Sequence, residues 1–133
     1  MSMPTTDRNV RDAPALALSA LLGFAGVAHF AVPDNFDSIV PHLLPGSERF
    51  WTSVSGAAEL ALAAGVAYPT TRRRAAALSA TFFVLVFPAN IQMAVDYRAR
   101  GGRDFTMSLL RLPLQVPLVW WAWRVHTRAR TAG

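Results

Sequence analysis

His29, Glu59, Asn90, Arg111 and Gln115 stand inside or at the edge of long apolar stretches, and any chemistry in this chain has to be built from them. Glu59 and Arg111 are the two charged residues well inside such stretches. A charge in that setting costs several kcal/mol, so it faces a partner, a cavity or a functional site. At 1.5 Å per residue, Glu59 lies ~13 Å from the outer end of its stretch and Arg111 ~9 Å from the same side. A guanidinium can bridge that difference, so the two are expected to pair. The pair has two compatible readings. It locks two helices together, with Asn90 and Gln115 as hydrogen-bonding glue. It also anchors a polar pocket that opens outward and takes a small molecule or a quinone-like head group.

His29 and His42 sit in no recognised metal-ligand spacing, so no metal site is expected. His29 is expected to hydrogen-bond a neighbour, His42 to lie at an interface and His126 to be solvated in a basic tail. No Ser/His/Asp set, phosphate loop or pair of carboxylates is visible, which favours a protein without catalytic activity of its own.

Four apolar stretches must position these groups: Pro14–Ala31, Phe50–Tyr68, Ala75–Val95 and Phe105–Trp123. Each is near the ~20 residues that a membrane-spanning helix needs. The expected fold is all-α: a transmembrane four-helix bundle with a short interfacial segment between helices one and two. In the second stretch Thr52, Ser55, Gly56, Glu59 and Ala63 share one helical face, and its small residues let another helix approach closely. In the fourth, Ser108, Arg111 and Gln115 share a face. Pro88, Pro113 and Pro117 remove backbone donors and free carbonyls within the third and fourth stretches, and Gln115 is placed to help satisfy those of the fourth. Asn90 and Gln92 are two residues apart, about 200° around a helix, so only one is expected to point inward, and Asn90 is chosen.

Val32–Arg49 (VPDNFDSIVPHLLPGSER) is too short and too Pro-rich to cross a bilayer. Phe36, Ile39, Val40, Leu43 and Leu44 have roughly helical spacing, which predicts an amphipathic cap lying on the outer surface. Residues 1–12 read as a flexible cytoplasmic N-terminus, 13–126 as the membrane domain and 127–133 as a basic cytoplasmic tail. Pro69–Arg74 is a short basic turn and Asp96–Asp104 a polar turn with two glycines.

The chain has 133 residues, is 53% hydrophobic and 16% charged, and has no Cys. That fits one small membrane domain and excludes disulfides, thiolate metal sites and cysteine redox chemistry within the chain. All 13 basic residues are Arg, and they flank apolar stretches rather than forming a stripe, so nucleic acid is not expected as a partner. Eight of them fall on the side that holds both termini and the 69–74 turn, against four on the other side. The positive-inside rule then places both termini in the cytoplasm, with Trp120, Trp121 and Trp123 as an inner aromatic belt and Phe50, Trp51 and Tyr97 as an outer one. The first stretch is long for a signal-peptide core and has Asp12 beside it, so it reads as a retained span.

The runs GFAGVAHF (Gly23–Phe30), IVPHLLPG (Ile39–Gly46), SGAAEL (Ser55–Leu60), FPANIQMA (Phe87–Ala94) and RLPLQVPLVWWA (Arg111–Ala122) resemble the DoxX-like family of small bacterial membrane proteins. The resemblance covers nearly the whole chain after Asp12 and is most specific in the third and fourth stretches. It implies a four-helix membrane bundle in the bacterial inner membrane, with His29, Glu59, Asn90, Arg111 and Gln115 at the motif positions. The family takes its name from a subunit of a thiosulfate:quinone oxidoreductase, so the resemblance also implies a quinone as the cofactor to consider. The absence of Cys argues against sulfur chemistry here.

Three functions compete. One is an accessory subunit of a membrane redox process, with the pocket near a quinone or a partner enzyme. Another is a non-enzymatic assembly or partner-binding scaffold in the bilayer, with a second membrane protein or a second copy of the chain as partner. The third is a small proton-linked transporter using Glu59, which the absence of an inverted repeat disfavours.

Overall fold

The computed structural model describes the backbone of residues 5–99 and 101–132, and side chains over 11–129 apart from those of Arg100 and Asp104. Six helices follow one another: α1 (Thr5–Ala31), α2 (Pro33–Asp37), α3 (Glu48–Ala67), α4 (Arg72–Leu85), α5 (Phe87–Arg98) and α6 (Gly102–Ala132). There is no strand among the described residues. The expected all-helical class is therefore met. Helix α1 packs along α3, α4 along α6, α3 on α4, and α5 on α6.

Several boundaries differ from the sequence reading, each for a local reason. Helix α1 begins at Thr5, so residues 5–12 continue the helix rather than forming a loose arm, while Met1–Pro4 lie outside the described residues. The third stretch is two helices. Pro88 cannot donate to a carbonyl four residues back, and the chain breaks at Val86, whose N–H turns to Phe82 O and Val84 O. Helix α6 holds Pro113 and Pro117 without a break and runs on to Ala132, through most of the expected tail. The polar turn before it uses Gly101 and Gly102 at φ 62° and 63°, a conformation that L side chains rarely adopt.

Three helical stretches are long and apolar enough to cross a membrane: Arg11–Ala31, Glu48–Ala67 and Arg72–Arg98, the last carried by α4 and α5 together. Helix α6 is the longest element at 31 residues but is not among the three; Arg103, Arg111, Gln115 and Arg124 dilute its apolar surface. Much of the exterior is hydrocarbon: Phe24 is 78% exposed and Leu85 70%. A surface of that kind suits lipid rather than water.

The core is narrow and made largely of small residues, with Ala15, Ala63, Ala75, Ala76, Ala80 and Ala122 packed around Leu18, Leu22, Val66, Phe83 and Val125. Helices this smooth approach closely and gain stability from contact rather than from large side chains. At the Arg-rich end Arg72 ties the first three long elements together. Its Nε and Nη2 donate to Val66 O (2.8 Å) and Ala67 O (3.0 Å), capping α3, and its Nη1 donates to Asp12 Oδ1 of α1 at 2.9 Å. Those carbonyls lack intrahelical donors, so the guanidinium both satisfies them and complements the negative end of α3. Trp121 Nε1 donates to Pro14 O at 3.0 Å and docks α6 on α1 at the same end.

Candidate functional site

The site is set by a glycine contact between α1 and α3. A Cβ on Gly56 would lie 2.7 Å from His29 Cβ and 2.8 Å from the Phe30 ring, and one on Gly26 would lie 2.8 Å from Leu60 Cγ. Only glycine at both positions lets the backbones come this near. Of the face Thr52, Ser55, Gly56, Glu59 and Ala63, all are buried except Ser55, which is half-buried. Side chains on a helix tilt toward its N-terminus. Because α1 and α3 run in opposite directions, Glu59 leans toward the cap, His29 leans away from it, and the two meet.

His29 Nδ1 lies 2.8 Å from Ala25 O and 3.0 Å from Glu59 Oε2. A carbonyl only accepts, so Nδ1 carries a proton and donates it to Ala25 O. Glu59 Oε2 is close enough for an ion pair, yet it is buried and no described residue gives it a well-aligned hydrogen bond. The imidazole is packed against the Phe36 ring, with centroids 3.8 Å apart, so α2 closes over it. Both side chains are nearly out of solvent, at 12% and 10% exposed.

Outward of this couple stand Thr52, Asp37 and Arg49. Arg49 Nε donates to Asp37 Oδ2 (2.9 Å) and its Nη2 to Asp34 Oδ1 (2.7 Å), fastening α2 to the first turn of α3. The Thr52 hydroxyl above all holds the Asp37 carboxyl below its ordinary pKa; burial opposes it, and the Arg49 guanidinium adds to the lowering. Thr52 Oγ1 and Asp37 Oδ1 nonetheless miss strict hydrogen-bond alignment, and both are buried. Glu59, Thr52 and Asp37 thus present three buried oxygens whose bonding among the described residues is incomplete, between the α1–α3 contact and the cap.

Asp37 makes the cap pH-sensitive in a defined sense. A carboxylate with a lowered folded-state pKa adds stability that is complete above the unfolded value, about 3.9, and is lost as pH falls through the folded value. Amide hydrogen exchange across residues 36–42 is expected to accelerate as pH falls below about 4 beyond its intrinsic pH dependence. In Asp37→Asn it should already be fast at pH 6. Equal protection in the two proteins at pH 6 would rule this out.

Arg111 does not join Glu59. It is exposed on α6, and its Nη1 donates to Met93 Sδ at 3.4 Å. The cause is the placement of helices: α3 packs on α1 and α4, whereas α6 packs on α4 and α5. The buried residues of α6 include Ser108, Gln115, Ala122 and Val125, whereas Arg111, between the first two, is exposed beside α5. Gln115 is buried, and its Nε2 donates to Phe83 O at 2.6 Å, bracing α4 just before the break rather than serving the carbonyls of its own helix. Asn90 is half-buried on α5. Gln92, the residue passed over in favour of Asn90, reaches the cap: its Oε1 accepts from His42 N (3.3 Å) and its Nε2 donates to Val40 O (3.4 Å). His126 Nδ1 lies 2.8 Å from Arg73 O. The cap itself is helical only over α2, then turns through Gly46, and Leu43 is 98% exposed.

Of the five expected site residues, the fold therefore brings together His29 and Glu59, and it places Asn90, Arg111 and Gln115 elsewhere along α5 and α6. Thr52, Asp37 and Arg49 complete the site. A signal for the couple does exist in the sequence: Gly26 precedes His29, and Gly56 precedes Glu59, each by three residues.

A family model described as a domain of unknown function (DUF8561) matches residues 18–126. No curated protein and no solved structure matches the chain.

Proposed function

This chain belongs to the DUF8561 family, and from that premise we propose an integral membrane protein of four spans that serves as an accessory subunit of a quinone-linked redox process. Its outer polar centre, His29 with Glu59, takes the head group. The observation that carries this reading is Glu59 Oε2: a buried carboxylate oxygen beside an imidazole, with no aligned donor. An ionisable couple inside apolar helices is a functional-site candidate by its cost alone. A partner enzyme supplies two electrons and the solvent two protons to a bound quinone, and the quinol so formed donates a hydroxyl to the oxygen that Glu59 leaves without an aligned donor. Thr52 and Asp37 extend this set toward the cap, a route for protons. The DoxX-like motif resemblance supports a quinone, and the Arg balance supports an inner-membrane protein with both termini cytoplasmic.

Arg111 favours a second reading, a partner-binding scaffold. On a spanning α6 this exposed cation has, among the described residues, a thioether, a weak acceptor, as its side-chain partner. A carboxylate on a membrane partner, or on a second copy of the chain, would complete it.

Purification from native membranes, with mass spectrometry of lipids and proteins, separates the two. Quinone is expected to co-purify near one per chain in the wild type and in Arg111→Leu, and to fall at least tenfold in a folded His29→Phe variant. Equal quinone in wild type and His29→Phe would overturn the quinone reading. Loss of a stoichiometric protein partner in Arg111→Leu would establish the scaffold instead.

A further inference from the structure

The opposite end of the molecule carries a site of different character. Between the Arg-rich ends of α1, α4 and α6 lies an open cavity of about 470 Å³ whose lining includes Arg11, Arg72, Arg128 and Asp12. Among its described lining side chains three are positive and one is negative. A second, apolar hollow of about 280 Å³ adjoins it and shares Pro14, Val125 and Arg128; Trp120 and Trp121 line its far side. Arg72 is already fixed by Asp12 and by the end of α3, so its guanidinium is held at the cavity wall instead of swinging freely. A rigid cation with donors to spare suits a phosphate oxygen.

We propose that these two hollows form one binding site for an anionic phospholipid, with the phosphate among Arg11, Arg72 and Arg128 and an acyl chain along Trp120. Two features select a lipid over a free anion. The polar and apolar hollows adjoin across Pro14, Val125 and Arg128, side by side as the two halves of an amphiphile require. The site also lies where α1, α4 and α6 reach the Arg-rich membrane surface, where basic pockets between helices meet anionic head groups. Placing that end at a membrane surface rests on the membrane reading above.

The test measures melting of purified protein in neutral detergent with added phosphatidylglycerol, phosphatidylcholine, or sn-glycerol 3-phosphate. Phosphatidylglycerol is expected to raise Tm by about 5 °C more than phosphatidylcholine. Glycerol phosphate should give less than a third of that effect. The Arg11→Gln/Arg128→Gln variant should lose most of the difference between the two lipids, while Arg49→Gln at the other end keeps it. Equal shifts with both lipids, or an undiminished difference in the double variant, would overturn the site. Full protection by glycerol phosphate alone would overturn the lipid as its occupant. Retention of the double variant in phosphatidylcholine vesicles after an alkaline wash reads the membrane placement separately, so failure of that premise is distinguishable from failure of the site.

Discussion

Replacing His29 with Leu should destabilise the protein by about 3–5 kcal/mol, whereas Arg111→Leu should change stability by less than about 0.5 kcal/mol. The first change leaves Glu59 buried between α1 and α3 without its neighbour at 3.0 Å. The second removes an exposed cation whose contact is a sulfur. Glu59→Leu should also be costly, because it leaves the imidazole against hydrocarbon. The double variant His29→Leu/Glu59→Leu should recover much of the loss, since replacing both members of a buried polar pair with apolar groups is often close to neutral. Chemical or thermal unfolding in detergent, run as a double-mutant cycle, gives the coupling directly. A coupling above about 0.5 kcal/mol is expected for residues in contact. Strictly additive losses, or a larger loss for Arg111→Leu than for His29→Leu, would sink the pairing.

Two glycines in neighbouring elements should respond with opposite signs. Gly56→Ala places a methyl 2.7 Å from His29 Cβ, so α1 and α3 must separate; overpacking of this kind costs about 1–3 kcal/mol. Gly23→Ala meets nothing closer than Ala63 Cβ at 3.8 Å, an ordinary contact, and should be neutral or gain up to about 1 kcal/mol from helix propensity. Gly56→Ala should also widen the gap between His29 and Glu59, which quinone co-purification would read as loss of ligand at a temperature where the protein is still folded. Equal and small effects of the two substitutions would show that the helices do not meet at Gly56.

The helices were legible in the sequence because their apolar length and proline positions act locally. The buried face Thr52, Gly56, Glu59 and Ala63 was legible for the same reason, since helical periodicity fixes which side chains share a side. Pairing across helices was not. Depth matched Glu59 to Arg111, but depth is one coordinate of three, and the neighbours of α3 are α1 and α4. His29 was read as a helix-end residue with a nearby partner, and the partner became visible only once the Gly26 and Gly56 contact fixed the rotation of both helices. Gln92 was set aside because it and Asn90 face opposite ways on a helix. Asn90 and Gln92 both lie in α5, after the break, so the angle between them still holds; the choice of Asn90 failed because the place of the cap relative to α5 is not visible in the sequence.

Gln92 has a consequence for how disturbances travel. Its amide grips Val40 and His42 about fifty residues earlier in the chain, and its helix hangs from the break that Gln115 braces. The cap and α6 are therefore joined by hydrogen bonds that run through the two halves of the third stretch, Gln92 on α5 to the 40–42 turn and Gln115 on α6 to Phe83 at the end of α4, a connection that bypasses the contact between α1 and α3.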